Sequence, residues 1–249
     1  MKSLLKQLFF LLAPKPRLPA DRAVILAYHS ISDREDHFWA VPVREFKRQV
    51  AYIAAKKYPV VSLGELVRRL KAGELPGGAV AITFDDGHRD NLTVAFPLLA
   101  RYNFPSTVFV ETDCIGKTGD IEYMSAEELR NLPALVSVET HTKSHPKLAK
   151  LSAGAAREEI AGGKGILERL LGRRCVHLAY PFGSYNEQTV AVARGVGIEA
   201  AVTMHEGTVG PESGLLELPR VSVDRSTTRV QFRGKLSRAV DWYEHLKRV

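Results

Sequence analysis

Acidic and histidine side chains follow several apolar segments of the sequence at the points where those segments end. Asp85 and Asp86 follow AVAITF, and His29 follows AVILAY. His141 and His145 follow LVSVET. In folds built from parallel strands, reactive groups gather at the carboxyl ends of the strands. These five side chains are therefore predicted to converge on one site.

Two of these histidines have the spacing of a metal site. Residues four positions apart share a face when the chain takes a helical turn, so His141 and His145 can aim their ring nitrogens at one point. A carboxylate from another strand end completes a set of two histidines and one carboxylate, which leaves positions on a divalent ion for water and substrate. Zinc, cobalt and nickel all tolerate such a set.

The adjacent aspartates can divide two tasks. Neighbouring residues at a strand end point in different directions, so one carboxylate can bind a metal while the other accepts a proton. Each feature taken alone also has a structural interpretation, because Asp-Asp-Gly is typical of a turn and a single histidine is often a core residue. Their common position at strand ends favours a catalytic site.

The composition is that of a globular protein. Of 249 residues, 45% are hydrophobic and 25% are charged, with a formal net charge of +7, which excludes disorder and collagen-like repetition. The basic residues form no stripe interleaved with aromatic side chains, so nucleic-acid binding is not expected. With two cysteines, Cys114 and Cys175, a cysteine-based zinc site lacks ligands, and any metal must be held by His, Asp or Glu.

The N-terminal segment MKSLLKQLFFLLA has an apolar run too short for a secretory signal or a spanning helix. Its leucines recur at helical spacing, as in a helix that lies in a membrane interface. A helix packed on the domain, or a frayed tail, fits equally well. We expect residues 1–22 to be a helix and linker, with membrane contact through residues 1–13 as one alternative, ahead of a domain over residues 23–249. A cytoplasmic or inner-membrane location is favoured over export.

From residue 23 onward, short apolar segments alternate with amphipathic helical patterns. Repeated strand–helix units over this length predict one α/β domain, and a barrel with fewer than eight strands is favoured over an open doubly wound sheet. A final helix is expected from about Arg229, with Leu246 on its packed face. The predicted strands, nearly all apolar, are 23–28, 79–84, 106–111, 135–140, 175–180 and 198–203.

Four of these segments, LAYHSIS, ITFDDG, HTKSH and AYPFG, together resemble the motifs of the polysaccharide deacetylases, the family 4 carbohydrate esterases that share the NodB homology domain. They are most similar to the branch in which an N-terminal Tyr-His replaces a late histidine motif. The resemblance covers residues 23–225 and implies a distorted (β/α) barrel of seven strands. The implied reaction is metal-dependent hydrolysis of the N-acetyl group of an N-acetylhexosamine, in a cell-envelope or extracellular polysaccharide or its precursor. Zinc is the expected metal, with cobalt or nickel as alternatives.

Carried onto this sequence, the resemblance assigns a role to each motif residue. Asp85 matches the general base and His29 the general acid. The backbone N–H of Phe182 matches the donor to the oxyanion, and Thr142 matches a position that supports the metal ligands. The implied metal ligands are Asp86, His141 and His145.

The sequence departs from the family pattern beside the base. In many members the turn reads Arg-x-Pro-Tyr/Phe, with the arginine orienting the base, whereas this sequence has Ala179 in the arginine's place. Arg220, which follows the last predicted strand, is a candidate to supply a guanidinium to Asp85 from another loop. An Asp-x-x-Asp-Trp motif of other members is absent, and Asp224 is a candidate for part of it.

Other aromatic and histidine side chains are assigned less specific roles. Tyr28, Trp39 and Tyr185 are candidates for a wall that stacks on sugar rings, with core packing as the alternative. His205 ranks below His29 as the acid. A structural interpretation is given to His37, His88, His177 and His245.

Two other functions compete with deacetylation. The first is a glycan-binding module that has kept the barrel but lost catalytic strength, and the second is an amide hydrolase for a small non-sugar substrate. The metal, base and acid positions are all filled, which favours a deacetylase. A serine esterase is not expected, because the sequence lacks a Gly-x-Ser-x-Gly elbow.

Overall fold

The computed structural model describes residues 8–13, 18–19, 21–34, 37–75 and 77–248. In this part of the chain seven parallel strands close into a barrel, and a pair of two-residue strands forms a separate small sheet. The predicted seven-stranded α/β barrel is thereby confirmed, and the open sheet is excluded. The strands are β1 (Ala23–Tyr28), β2 (Ser30–Ile31), β3 (Ala40–Val41), β4 (Ala79–Phe84), β5 (Ser106–Val110), β6 (Val136–Thr140), β7 (His177–Ala179), β8 (Ala200–Glu206) and β9 (Leu218–Ser222), of which β2 and β3 form the small sheet.

The barrel strands are apolar on both faces because each face is buried. Along β1, Leu26 belongs to a cluster with Phe46 and Val50 of a surrounding helix. Its neighbour Ile25 belongs to a second cluster with small residues of the other strands, such as Ala81. Side chains alternate across a strand, so the first cluster packs between strands and helices and the second fills the barrel interior. The carboxyl ends of the strands are left to carry polar residues.

Helices surround the barrel, and side-chain caps define where several of them begin. The Ser125 hydroxyl accepts a hydrogen bond from the Glu128 N–H while the Glu128 carboxylate accepts one from the Ser125 N–H, which is the capping box that the sequence predicts. The α-helices from residue 43 onward are Val43–Ala55, Leu63–Ala72, Phe96–Ala100, Ala126–Arg130, Ala153–Leu171, Glu187–Gly195, Arg229–Lys235 and Ala239–Arg248.

The seventh strand, β9, differs from the sequence-based prediction, which ended with residues 198–203. It pairs with β8 and with β1 and closes the barrel. Pro219 and Arg220 interrupt the apolar run by which the other strands are recognised. Arg220 therefore lies on a barrel strand and not on a loop.

The prediction of a single C-terminal helix is also wrong, because two separate helices meet at Ser237. The Ser237 hydroxyl donates to the Gly234 carbonyl at 2.7 Å and accepts from the Ala239 N–H at 3.2 Å, so it ends one helix and starts the next. Leu246, predicted on the packed face, is 62% exposed.

Residues 8–12 form a helix that packs on the C-terminal helices through Phe9 and Phe10, whose ring centroids lie 5.3 Å and 5.4 Å from that of Tyr243. The Phe10 ring is fully buried, contacts Tyr243 and lies against Gly234, where an added Cβ would overlap it. Leu8, Leu11 and Leu12 are 49%, 58% and 73% exposed. The rest of the predicted N-terminal helix and linker, residues 1–7, 14–17 and 20, lies outside the described residues. No helix in the described ranges is long and apolar enough to cross a bilayer.

Candidate metal centre and active site

Asp86, His141 and His145 meet above the carboxyl ends of β4 and β6. Oδ1 of Asp86 lies 3.5 Å from Nε2 of His141 and 3.6 Å from Nε2 of His145. The two Nε2 atoms are 3.1 Å apart. One potential ligand atom from each residue thus lies within 4.8 Å of the others, as the ligands of one cation must.

The orientation of the His141 ring is set by the backbone of β7. Its Nδ1 lies 2.8 Å from the carbonyl oxygen of Ala179, to which it donates, so the lone pair is on Nε2 and faces Asp86. Burial lowers the pKa of His141 to about 4, which keeps the ring neutral. A neutral imidazole with its second nitrogen held in this way is the form that binds a metal.

The segment between the two histidines is a loop and not the helical turn assumed from their spacing. Thr142 and His145 both have left-handed backbone conformations, with φ of 69° and 59°. The Thr142 hydroxyl accepts from the His145 N–H at 3.2 Å, and the Thr142 N–H donates to the Thr140 hydroxyl at 3.2 Å. The convergence of the rings therefore depends on two unusual backbone positions that tertiary contacts must hold.

Helix Ala153–Leu171 supplies those contacts. The Glu159 carboxylate accepts from the backbone N–H groups of Lys143, at 3.1 Å, and Ser144, at 2.9 Å. One turn further on, Gly163 lies directly under the loop, and an added Cβ would be 2.5 Å from the carbonyl carbon and oxygen of Thr142. The helix thus fixes the loop both by hydrogen bonds and by close packing.

Asp86 is also in contact with His88, which was predicted to have only a structural role. His88 approaches Oδ2 of Asp86, whereas His141 and His145 approach Oδ1. Nε2 of His88 is 3.3 Å from Oδ2 of Asp86, and the buried His88 ring stacks on Tyr123 at 5.2 Å. Burial alone would raise the pKa of Asp86, but the close His88, His29 and His141 rings outweigh it and hold that pKa well below its usual range. His88 follows the predicted ligand Asp86 by two positions, and this spacing was the sequence signal that could have identified it as a residue that supports the ligand.

Asp85 faces the barrel interior and pairs with Arg220 of β9. Nη1 and Nη2 of Arg220 each lie 2.7 Å from one carboxylate oxygen, and its Nε donates to the Thr203 carbonyl at 2.9 Å. The predicted contact is present, although it comes from a strand. Burial would raise the pKa of Asp85, but the Arg220 guanidinium outweighs it and the pKa is lowered, so the carboxylate is ionised.

His29 approaches Asp85 from the end of β1. Its Nε2 is 4.0 Å from Oδ2 of Asp85, and its ring stacks on Trp39 with centroids 4.7 Å apart. Burial lowers the pKa of His29, although Asp86 and Asp85 act in the opposite direction. The imidazole is therefore neutral in the free protein, and it lies close to the Asp85 carboxylate.

Phe182 belongs to the tight turn Pro181–Gly183 that follows β7. It has a left-handed φ of 58°, and its ring lies 4.5 Å from the His145 ring, with 60% of the residue exposed. An added Cβ at Gly183 would be 2.7 Å from Cβ of Met204, so the turn packs closely against β8. The turn is thus rigid beside the ligand cluster.

The potential metal ligands and the side chains beside them line one cavity of about 550 Å³, namely His29, Asp85, Asp86, His141, His145 and Phe182. Arg220 is not part of its lining, because it lies below Asp85 in the barrel. Trp39 is at the wall, as the sequence suggests, and so is His205. The other lining residues are Met204, Glu206 and Ser222.

Several candidates from the sequence lie elsewhere. Tyr28 is a core residue whose hydroxyl donates to Oε1 of Gln49 at 2.9 Å, so it is not part of a sugar-stacking wall. Tyr185 is outside the cavity lining, and its hydroxyl is 3.2 Å from Nδ1 of His205. Asp224 accepts from the Ser226 N–H at 2.8 Å and shapes a turn.

The described His and Asp residues fit a divalent cation. Oδ1 of Asp86 is buried and has no hydrogen-bond partner, although burial of an unpaired charged oxygen is costly. Nε2 of His141 carries a lone pair directed at the same point. A cation at this point would satisfy these acceptors together with His145, and the donor set suits zinc, cobalt or nickel.

Comparison with known proteins identifies the family of this chain. The family model for polysaccharide deacetylases matches residues 72–201. The Bacillus subtilis protein YxkH, whose name places it among polysaccharide deacetylases, is 31% identical over 202 residues, covering 80% of this chain and 70% of that protein. The poly-beta-1,6-N-acetyl-D-glucosamine N-deacetylase of Staphylococcus epidermidis is 27% identical, covering 74% of this chain and 68% of that protein.

Two solved structures share the fold over nearly their whole length. The Streptococcus pyogenes deacetylase PplD, in complex with acetate, has a TM-score of 0.79 at 26% identity, covering 88% of this chain and 99% of that chain. IcaB from Ammonifex degensii has a TM-score of 0.76 at 25% identity, covering 90% and 99%. Sequence and fold agree, and the chain belongs to the polysaccharide deacetylase family.

Proposed function

We propose that this protein is a metal-dependent N-deacetylase that hydrolyses the N-acetyl group of an N-acetylhexosamine in a cell-envelope or extracellular polysaccharide or its precursor. One observation carries the proposal. The cluster of Asp86, His141 and His145 shares a cavity with an ionised Asp85 and with His29. Metal ligands, a proton acceptor and a proton donor are therefore available around one point.

The reaction begins with water attacking the acetyl carbonyl. Asp86, His141 and His145 would hold a divalent cation, which would supply a Lewis acid that polarises this carbonyl and makes water more acidic. Asp85 accepts the proton of the attacking water, and Arg220 keeps its two oxygens in one orientation. The backbone N–H of Phe182, in its rigid turn, donates to the developing oxyanion, a contribution of about 3 kcal/mol when well aimed.

The leaving nitrogen must be protonated before the C–N bond breaks. His29 is neutral at rest, but it lies 4.0 Å from Asp85. The proton that Asp85 takes from water therefore has a short path to His29, which then donates it to the nitrogen. Both side chains return to their starting protonation states, and the acetic acid and free amine that result exchange a proton to become acetate and an ammonium group.

The names of the relatives support a polymeric amino-sugar substrate. The Staphylococcus epidermidis relative is named for deacetylation of a β-1,6-linked N-acetylglucosamine polymer. The cavity wall also includes Trp39, whose face suits a pyranose ring. An N-acetylhexosamine unit within a glycan is accordingly the substrate class that we propose.

The direct test is acetate release from N-acetylglucosamine oligosaccharides and from small acetamides by the zinc-loaded protein. The proposal expects acetate from the oligosaccharides, with little from the small amides. Asp85→Asn should lower kcat by about 10³-fold while oligosaccharide binding persists. Binding without acetate release from the unaltered protein would instead identify a glycan-binding module. Preferential cleavage of small amides would identify the other amide hydrolase.

We propose zinc as the resident metal. The mixed His and Asp set is compatible with zinc, cobalt or nickel, and affinity alone does not choose among them. Metal analysis of protein purified without added metal identifies the ion. Reloading the chelated protein with each of the three metals then compares their acetate release, and the proposal expects zinc both in the native protein and in an active reloaded one.

We further propose that the N-terminal helix contacts a membrane surface. Its support is the arrangement in which Phe10 is buried while Leu8, Leu11 and Leu12 face outward. Co-sedimentation with vesicles of anionic lipid should fall several-fold when these three leucines are changed to serine. Unchanged sedimentation would contradict the contact. A cytoplasmic or inner-membrane location stays a prediction, which cell fractionation tests.

A further inference from the structure

The end of strand β8 belongs to the catalytic cavity but is paired less regularly than the rest of the strand. Its pairing with β7 ends at Val202, opposite Ala179. Its pairing with β9 changes register between Val202 and Glu206. The last three residues of β8 nevertheless line the catalytic cavity. Contacts from outside the barrel sheet must therefore help to hold this strand end in place.

The same strand end contacts two parts of the proposed catalytic machinery. The Thr203 carbonyl accepts from Nε of Arg220 at 2.9 Å, and Sδ of Met204 lies 3.3 Å from Nη2 of the same arginine. Cβ of Met204 packs closely on the turn that contains Phe182, since it would be 2.7 Å from a Cβ added at Gly183. A shift of the strand end would therefore displace the guanidinium beside the base and the turn that carries the oxyanion donor.

A buried lysine reaches this strand end from a helix outside the barrel. Nζ of Lys235, the last residue of helix Arg229–Lys235, lies 2.7 Å from Oε1 of Glu206. The two side chains are 1% and 11% exposed. An ammonium group is costly to bury unless it is paired, and removal of one partner from a buried pair is strongly destabilising. The ion pair is therefore a firm link between the helix and the end of β8.

The helix that carries Lys235 is itself held in place. Its first turn has a capping box formed by Thr228 and Gln231. The ring of Phe10 fills the space beside Gly234, where an added Cβ would be 2.1 Å from the ring. Lys235 thus extends toward β8 from a helix that is packed on its other side by the N-terminal helix.

We propose that Lys235 is a positioning residue for deacetylation, because through Glu206 it holds the end of β8 where Arg220 can orient Asp85. The inference rests on the proposed function. Lys235 lies outside the cavity lining, whereas Glu206 is part of it, so the lysine acts through Glu206 and not on the substrate. Loss of its ammonium group should lower kcat more than it changes KM, since a small displacement of catalytic groups slows the reaction without removing a substrate contact.

The first experiment measures kcat and KM for acetate release from N-acetylglucosamine oligosaccharides by the zinc-loaded protein, below its unfolding temperature. Lys235→Met keeps an unbranched side chain without the charge, and its kcat should fall at least about tenfold with little change in KM. Glu206→Gln keeps an oxygen that can accept from Lys235, so it should retain kcat. Zinc affinity should be unaltered in both variants, because the three metal ligands follow β4 and β6.

Lys71→Met is the matched control. Lys71 forms an ion pair with Glu199 at the same distance of 2.7 Å, but the two side chains are 40% and 44% exposed and lie outside the catalytic cavity. This variant should have the kcat and KM of the unaltered protein. A kcat for Lys235→Met equal to that of the control would overturn the proposal.

A double variant separates positioning from a contribution to stability alone. Lys235→Met removes the cation beside a nearly buried carboxylate and should lower Tm by about 10 °C. The double variant of Lys235→Met with Glu206→Gln removes both charges and should recover most of this Tm, but its kcat should stay as low as that of Lys235→Met. Recovery of kcat together with Tm would overturn the proposal. An equal loss of kcat in Glu206→Gln alone would overturn it too, because it would assign the effect to the Glu206 carboxylate itself.

A second experiment needs no acetate release and so separates this inference from the proposed function. The NMR signal of the Arg220 Nε–H is assigned by its absence from Arg220→Lys. In Lys235→Met and in the double variant this signal should shift and exchange with solvent several-fold faster, whereas it should be unchanged in Lys71→Met. An unchanged signal in Lys235→Met would reject the positioning role. A changed signal in a protein that releases no acetate would reject only the deacetylase activity.

Discussion

Arg220 and Asp85 form a two-point ion pair inside the barrel, with Nη1 and Nη2 of the arginine each 2.7 Å from a carboxylate oxygen. Both side chains are buried, and Arg220 is inaccessible to solvent. Ala179 occupies the place where the family pattern has its arginine, and its side chain joins the barrel interior. In this chain the guanidinium beside Asp85 therefore comes from β9.

Because of this pair, we expect replacement of Arg220 by a shorter side chain to lower the catalytic rate. Arg220→Lys keeps a positive charge but cannot donate to both oxygens, so Asp85 should lose its orientation and kcat should fall by about 10²-fold with little change in KM. Arg220→Ala should in addition lower the free energy of unfolding by about 3–5 kcal/mol, because it leaves a buried carboxylate unpaired. Acetate-release kinetics and urea unfolding measure the two effects. Unchanged kcat in Arg220→Lys would show that Asp85 needs no orientation.

His88 should control metal affinity through Asp86. His88→Phe keeps a ring against Tyr123 but loses the contact with Oδ2, so zinc affinity should fall by about 10–100-fold. His88→Gln can still donate and should recover part of the loss. Competition with a chromophoric chelator measures the affinity, and His245→Gln on the last helix is the control. Equal affinity in His88→Phe and the control would exclude this role.

The close contact of helix Ala153–Leu171 with the metal-ligand loop predicts opposite results for two adjacent glycines. A Cβ at Gly163 would meet the Thr142 carbonyl group at 2.5 Å, so Gly163→Ala should displace the loop, reduce zinc affinity at least about tenfold and destabilise the protein. A Cβ at Gly162 would meet only the Lys143 side chain, at 3.7 Å. Gly162→Ala should therefore be neutral or stabilising by up to about 1 kcal/mol. Chelator competition and thermal unfolding distinguish them, and similar behaviour of the two variants would contradict the packing argument.

The metal-free protein should lose stability in mild acid. Burial lowers the pKa of His141 to about 4, whereas the unfolded chain titrates near 6.5. As the pH falls, protons therefore bind the unfolded state first. The contribution of His141 to the free energy of unfolding is complete above pH 6.5 and is lost progressively as the pH falls to about 4. The full loss is about 3 kcal/mol. Unfolding in the presence of a chelator at several pH values measures it, and His141→Gln should show a smaller slope. An identical slope would assign the acid lability to other groups.

Much of the site was predictable because its residues occupy strand ends. The apolar runs of β1, β4 and β6 are recognisable from local pattern alone, and the polar residues that follow them must lie on one rim of a parallel barrel. The types and order of Asp85, Asp86, His141 and His145 therefore sufficed to predict a metal site with a neighbouring base. Strand β9 could not be predicted in the same way, because Pro219 and Arg220 interrupt its apolar residues.

Tertiary structure alone decided how those residues are held. Arg220 reaches Asp85 across 135 positions of chain because closure of the barrel places β9 beside β1. His88 supports Asp86 because the loop after β4 folds back under it, and the left-handed loop at Thr142 exists because a helix packs on it. Local sequence specifies which side chains can do chemistry, since that depends on residue type and on short-range spacing. Distances between segments far apart in the chain arise only when the barrel closes, because they are set by the packing of the whole domain.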